Sequence, residues 1–338
     1  MNRPAGRTVT RADVARLAGV SSAVVSYVVN GGPRPVAPAT ASRVRDAIDM
    51  LGYRPNASAR ALKLGTTGVL GLVVPDSSNP FYAELALEVE RAASLREMAL
   101  LMTSSNSDLQ LESRLIGDLA GRQVDGLLVS GAGGPPAAAA RDMRRVGTPV
   151  VFLDSPIEVE GHTTFVSDGQ TGSKLLTQHL LQVHGHDSVT LLMGTHSQPW
   201  LDGREIGWRD ALVDAGAPDQ RIYRAPFTRQ GGYEAGHLLL TGRFRPTAIV
   251  ASSDLQAVGL LRAAHELGVD VPGELALVAY DGTQESEYCW PPLTCARQRI
   301  RDIADAAVAV IAERREPTHR VFEVDLVLRR SCGCSVEY

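Results

Sequence analysis

The sequence predicts a small all-α head followed by a larger, two-lobed α/β body built on parallel sheets. Three observations lead there. The N-terminal segment is basic and carries apolar residues at helical spacing. From Gly68 onward, short apolar strands alternate with amphipathic helices. The length, 338 residues, exceeds one ordinary domain.

The composition supports a folded, water-exposed protein. It is 44% hydrophobic and 21% charged, enough apolar material for a sizeable core. No apolar run approaches the roughly 18 residues that span a bilayer, and the first ten residues lack the apolar stretch of a secretory signal. Four cysteines in this length do not make a disulfide scaffold. A cytoplasmic protein without a membrane partner is expected, associated with the nucleoid when bound to DNA. The net charge of −4 hides an asymmetry. Residues 1–63 hold nine Arg and one Lys against three Asp, so a polyanion is attracted to this segment and repelled by the acidic remainder.

The head divides into three short helices. Thr10 with Asp13 forms a capping-box-like start, and Ala12, Val14, Ala15, Leu17 and Ala18 supply apolar faces up to Gly19. Ser21 can cap a second helix over 22–29, closed by Asn30-Gly31. A third follows Pro38, with Val44, Ala47, Ile48 and Leu51 inward and Gly52 at its end. Two short helices joined by a tight turn form a helix-turn-helix, whose second helix enters the DNA major groove by its N-terminal end. Ser22, Ala23 and Tyr27 are then candidate base readers, Ser21 lies near phosphate, and Val24, Val25 and Val28 are expected in the core. Arg34 is a candidate phosphate contact in the stiff loop 33–38.

In the body, strands are expected at 69–74, 99–103, 125–130, 149–154, 188–193, 248–252 and 275–280. Helices are expected at 80–96, 109–122, 170–184, 204–215, 231–240, 255–267 and 300–314. In such sheets ligands bind beyond the carboxyl ends of the strands, and two lobes add a cleft there.

The runs VTRADVARLAGVSSAVVSYVVN and RVRDAIDMLGYRPNASARAL resemble the head of the lactose/galactose-repressor (LacI/GalR) family of transcription regulators. The likeness continues through LGLVVPDSSNPFYAEL, VVFLD, REIGW, SSDLQAVG, VAYDG, PPLT and RRSCG. It implies a periplasmic-binding-protein-like body and a homodimer that binds palindromic operator DNA, most simply as a repressor. The expected division is a head at 1–53, a hinge helix and linker at 54–67, and an effector-binding domain at 68–338. Lobe one would take about 68–166 and 298–328, lobe two about 167–297 and 329–338. The resemblance also implies DNA contacts by Thr10, Ser26, Asn30, Asn56, Ala59 and Lys63, with Leu62 as an apolar wedge in the minor groove. The family usually has Arg where this chain has Tyr27. Tyrosine cannot grip guanine bidentately, so a different operator half-site is expected.

For the cleft, the resemblance implies Asp154 and Asp281 as acceptors of sugar hydroxyls and Arg204 as a fork bridging two sugar oxygens. Ser253 stands where the family often has Asn. Asn79, Phe81, Trp200, Phe227 and Gln298 complete the expected ligand set. A saccharide or sugar phosphate is the expected effector, and a purine or nucleoside the alternative if Phe81-Tyr82 stacks a base. An enzyme is the remote alternative. Gly131-Ala132-Gly133-Gly134 resembles a dinucleotide fingerprint, but Pro136 replaces its third glycine. No catalytic motif, cofactor or metal site is expected. Cys332 and Cys334 have no histidine nearby in the C-terminal run, and His184-Gly185-His186 reads as a helix-to-strand turn.

Overall fold

The computed structural model describes residues 9–30, 32, 34–54, 65–131, 147–155, 158–195, 201–217 and 221–335. The chain forms two compact units, Met1–Thr67 and Gly68–Tyr338.

In the first unit, α1 (Arg11–Ala18), α2 (Ser22–Asn30) and α3 (Pro38–Leu51) enclose one small core. Val14, Ala15, Ala18, Val25, Val44 and Ala47 are buried there. The Asp13 carboxylate takes both the Thr10 amide at 2.9 Å and the Thr10 hydroxyl at 2.7 Å, which fixes the start of α1. Gly19 and Gly52 end α1 and α3 in the left-handed conformation that glycine adopts without strain. Between α1 and α2 the chain turns by 105°, the angle of a helix-turn-helix. Two details differ from expectation. Leu17 is 50% exposed, and Val29 joins the core edge in place of Val24, one helical turn after Val25.

The second unit holds two six-stranded sheets. The first contains β1 (Val69–Val74), β2 (Ala99–Ser104), β3 (Gly126–Ser130), β4 (Val150–Leu153), β5 (Thr163–Ser167) and β11 (His319–Phe322). Its strands run parallel in the order β11-β5-β4-β3-β1-β2. The second contains β6 (Thr190–Gly194), β7 (Ile222–Ala225), β8 (Ala248–Ala251), β9 (Ala276–Asp281), β10 (Thr294–Gln298) and β12 (Val324–Val327). Its order is β12-β10-β9-β8-β6-β7, and only β12 is antiparallel.

Helices cover both faces of each sheet, as parallel sheets require. On the first lie α4 (Pro80–Ser94), α5 (Leu109–Gly121) and α11 (Ile300–Ala312). On the second lie α6 (Gly169–Gln178), α7 (Gly203–Asp214), α8 (Arg229–Thr241) and α9 (Asp254–Glu266), with the short α10 (Gln284–Tyr288) beside α9. Among the described residues, no single helix is long and apolar enough to cross a membrane.

The chain passes from the first sheet to the second after Ser167, returns after Gln298, and crosses again at Glu323. The last crossing corrects the expectation that lobe one continues to residue 328. β11 pairs with β5, but β12 bonds to β10, so the lobe changes one residue after Phe322. The expected helix 170–184 is also interrupted. Past Gln178 it widens into a π turn over His179–Val183.

Candidate DNA-reading head and ligand cleft

In the head, Ser21 accepts the Val24 amide at 3.3 Å, opening α2. Ser22 and Ala23 are exposed on its first turn, and Tyr27 is half-buried. The Tyr27 ring lies over the bare backbone of Gly32, where an added Cβ would stand 2.3 Å from it. Packing therefore holds that ring in place. Asn30 turns back onto Ser26, donating to its carbonyl at 3.2 Å and its hydroxyl at 3.3 Å. Arg34 is exposed. Asn56, Ala59, Leu62 and Lys63 lie outside the described residues, as do Trp200 and residues 132–134 of the glycine-rich run.

The cleft is assembled at strand ends. Asp154 follows β4 with φ +56° and Asp281 ends β9 with φ +116°, so both side chains are re-aimed where the sheet stops. Arg204 opens α7, whose N-cap is Asp202. Its Nε and Nη2 meet the two Asp202 oxygens at 2.9 and 2.7 Å, and Nη1 donates to the Ser252 carbonyl at 2.9 Å. Two of the five guanidinium N–H donors stay available. Phe227 and Tyr280 flank the guanidinium at 5.0 and 5.4 Å. Gln298, on the strand beside Asp281, donates to Asp281 Oδ1 at 2.9 Å and accepts from the Ser167 hydroxyl of the other sheet. A small cavity of about 10 Å³ among Ser130, Asp154, Phe165, Ser167 and Gln298 leads off this cluster. The Ser130 hydroxyl is buried there beside the Tyr82 phenol.

Three carboxylates, Asp202, Asp154 and Asp281, crowd one guanidinium, and Asp254 lies beside Asp281. Asp154 borders open cleft space, yet the protein around it pushes its carboxyl up to about 6. Arg204 opposes that rise and Asp202 adds to it. Burial and then the neighbouring Asp254 carboxylate push Asp281 well above the ordinary range, against the pull of Arg204 and Gln298. Asp254 is pushed up to about 7 by burial, although it accepts both the amide and the hydroxyl of Thr283 at 2.7 Å. Burial also works against the charge on Arg204, but Asp202, Asp154 and Asp281 more than offset it and raise the guanidinium further.

These raised carboxyls make stability depend on pH. Their folded pKa values lie above the unfolded ones, so the folded body holds protons that the unfolded chain releases. The contribution is complete below about pH 4 and is lost as pH rises through about 6 to 7. Asp254→Asn removes one such titration while keeping an acceptor for Thr283. It should flatten the slope of stability against pH by up to about 1.4 kcal/mol per unit between pH ~5 and ~7, read from denaturant midpoints. An unchanged slope would show that Asp254 is already ionised in the folded body.

The sequence-predicted set is only partly assembled. Asp154, Arg204, Phe227, Asp281 and Gln298 come together. Phe81 is 7% exposed and packs in the core under α4 with Leu85 and Val89, while also lining the small cavity beside Asp154. Its neighbour Tyr82 sits beside Asp154, Asp281 and Arg204, and burial raises its phenol. Tyr82 meets Phe81 edge-on, at 5.1 Å and 75°, so the two rings do not present one shared face. Ser253 is 2% exposed and caps α9 by accepting the Gln256 amide. Asn79 caps α4 through the Phe81 amide. Asp202 and Ser130 were not read from the sequence, although Asp202 stands in the helix-capping position two residues before Arg204, and Tyr82 entered only as half of a base-stacking pair with Phe81.

A second group of side chains lies on lobe two. His179, His184, Cys332 and Cys334 place one nitrogen or sulfur each within 4.8 Å of one another. The C-terminal run holds no histidine near the cysteine pair, but the fold brings two to it from elsewhere in the chain. The partners come from the π turn, about 150 residues earlier in the chain.

Comparison with known proteins agrees with this layout. Residues 10–56 match the bacterial regulatory proteins of the lacI family, and residues 177–332 match the periplasmic binding protein-like domain. Catabolite control protein A of Priestia megaterium is 33% identical over 308 residues, covering 90% of this chain and 92% of that protein. The ribose operon repressor of Escherichia coli is 33% identical over 314 residues, covering 91% and 94%. Among solved structures, the transcriptional regulator CelR–cellobiose complex matches with a TM-score of 0.69 at 30% identity, covering 96% and 99%. The lac repressor dimer bound to operator has the same fold, with a TM-score of 0.84 at 24% identity over 96% and 99%. The chain therefore belongs to the lacI family of bacterial regulatory proteins, DNA-binding transcription regulators rather than enzymes.

Proposed function

We propose that this regulator represses transcription as a cytoplasmic homodimer, and that a neutral saccharide in the interlobe cleft controls its hold on a palindromic operator. One observation carries the ligand reading. Asp154, Asp281 and Arg204 converge from separate strand and helix ends, with donors and acceptors left over. A polyol, whose hydroxyls both donate and accept, satisfies such a set. A sugar phosphate fits less well, because Arg204 is already paired with Asp202 and two further carboxylates face the same space. Phe81 and Tyr82 meet edge-on, so they do not act together as one stacking face for a purine. Relatives whose names refer to ribose and to cellobiose support the saccharide reading. The repressors named PurR keep a purine as the competing outcome.

For DNA, Ser22, Ala23 and Tyr27 are the proposed base readers, with Ser21, Thr10, Arg34, Asn56 and Lys63 near the backbone and Leu62 as the central wedge. Exposed Leu95 and Leu101, beside the outer strand β2, supply an apolar centre for an isologous contact between two copies. Ligand that alters the angle between the lobes alters the spacing of the two heads.

The test is a selection of genomic DNA fragments by the purified full chain, with and without pools of neutral sugars, sugar phosphates and purines. The expected result is a two-fold palindrome whose recovery changes with a neutral sugar alone. A response confined to purines or phosphates would overturn the saccharide reading, and no enriched palindrome under any condition would overturn the operator reading.

A further inference from the structure

We propose that His179, His184, Cys332 and Cys334 form a Cys2His2 site for one zinc ion, which ties the C-terminal end of the chain to lobe two. This site is separate from the effector cleft and does not rest on the saccharide reading.

The argument starts from the helix. In an α-helix, residues five apart point well away from each other, since 3.6 residues complete a turn. The π turn over His179–Val183 removes that offset. The His184 amide bonds the His179 carbonyl at 3.3 Å, five residues back, and the two Nε2 atoms meet at 3.1 Å. π turns inside α-helices are rare and concentrate at functional sites.

The C-terminal end supplies the other half. Arg330–Cys332 forms a single 3-10 turn, and Gly333 then reverses the chain at φ +104°. An added Cβ on Gly333 would press to 3.3 Å against the His184 ring. Glycine between the cysteines thus allows both the reversal and the close ring contact. As a result Cys332 Sγ and Cys334 Sγ each lie 3.4 Å from His179 Nε2, and Cys334 Sγ lies 3.5 Å from His184 Nε2.

Hydrogen bonding does not account for this cluster. His179 Nε2 has three neighbours at 3.1 to 3.4 Å, but a neutral ring nitrogen offers one hydrogen or one lone pair. A shared centre does account for it. Zinc bonds of about 2.0–2.1 Å to nitrogen and 2.3 Å to sulfur, set tetrahedrally, separate nitrogen from nitrogen by about 3.3 Å and nitrogen from sulfur by about 3.5 Å. All four donor atoms lie within 4.8 Å of one another, room for one ion and too little for a two-iron cluster. Two thiolates and two neutral imidazoles cancel the charge of Zn2+, which suits a site where His179 and Cys332 are buried. The Thr294 hydroxyl, which donates to the Arg329 carbonyl, lies 2.9 Å from Cys332 Sγ. Both thiol protons leave to solvent on binding.

The experiment uses the full chain, purified without a histidine tag and kept reduced. Elemental analysis should find one zinc per chain. Cobalt substituted for it should show thiolate-to-metal charge transfer and the strong visible bands of tetrahedral coordination. Chelation should lower the Tm by at least about 5 °C, since a tightly bound ion stabilises the folded state alone. Cys334→Ser and His184→Ala should each lose the metal, whereas Cys289→Ser should keep it. If a variant fails to fold, the cobalt spectrum of the unaltered chain still decides. Absence of both zinc and the tetrahedral cobalt spectrum would overturn the proposal, and so would metal retained by folded Cys334→Ser or His184→Ala protein.

Discussion

Arg204→Ala should abolish the effector response while leaving ligand-free operator binding intact. The guanidinium holds Asp202 through two bonds, ties α7 to the Ser252 carbonyl, and is the cation facing Asp154 and Asp281. Without it the carboxylates repel one another, and burial drives Asp154 further from its charged form. Two charge-assisted bonds to the ligand disappear as well, each worth about 1.5–3 kcal/mol. Affinity for the sugar that emerges from selection should therefore fall by at least about 100-fold. The half-buried ion pair adds a stability loss of about 1–3 kcal/mol, tempered because both partners keep some contact with solvent. Calorimetric titration reads the first effect, and denaturant midpoints with operator-binding curves read the rest. Arg204→Lys should recover part of the stability and little of the affinity, since an ammonium keeps the charge but not the fork. Unchanged affinity in Arg204→Ala would place the effector elsewhere.

The site was legible where a functional side chain ends an apolar strand, as Asp154 does after Val150–Leu153 and Asp281 at the end of Ala276–Asp281. The interrupted apolar run marks the strand's end, and the polar residue there faces the cleft. Phe81 carries a second pattern that the cleft reading passes over. It stands four and eight residues before Leu85 and Val89, which is the buried stripe of α4. Ser253 with Gln256 is likewise a capping pair in plain view. Five strands went unseen: β5, β7, β10, β11 and β12. Their segments are short, and β10 reads TCARQ, without period or apolar run, because its buried Thr294 and Gln298 are satisfied by distant partners. The histidine–cysteine cluster was invisible for a similar reason. Its halves lie about 150 residues apart, and the π turn that aligns the histidines leaves no mark in an amphipathic pattern.

Gly259→Ala should destabilise the body, while the same substitution at Gly117 should stabilise it slightly. Both glycines lie inside helices, where alanine is intrinsically better by about 1 kcal/mol. At Gly117 a Cβ meets nothing within 4 Å, so only that gain remains. At Gly259 the new Cβ would stand 1.9 Å from the Arg229 carbonyl oxygen and 2.7 Å from the Tyr233 nitrogen. These are backbone atoms of α8, which no change of rotamer can move aside. An added Cβ on Gly232 would make the reciprocal approach, 2.1 Å from the Gln256 carbonyl oxygen, so α8 and α9 touch backbone to backbone along this seam. Alanine must force the helices apart and strip contacts from Leu239, Leu260 and Ala264 in the core beneath. The net loss should be about 2–4 kcal/mol after the helix gain is subtracted. The shift also reaches the cleft, because the first residue of α9 is Asp254, whose bonds to Thr283 set the backbone two residues beyond Asp281. Gly259→Ala should therefore weaken sugar binding as well as stability, whereas Gly117→Ala should leave binding unchanged. Matching midpoints for the two variants would mean that α8 and α9 are not in backbone contact.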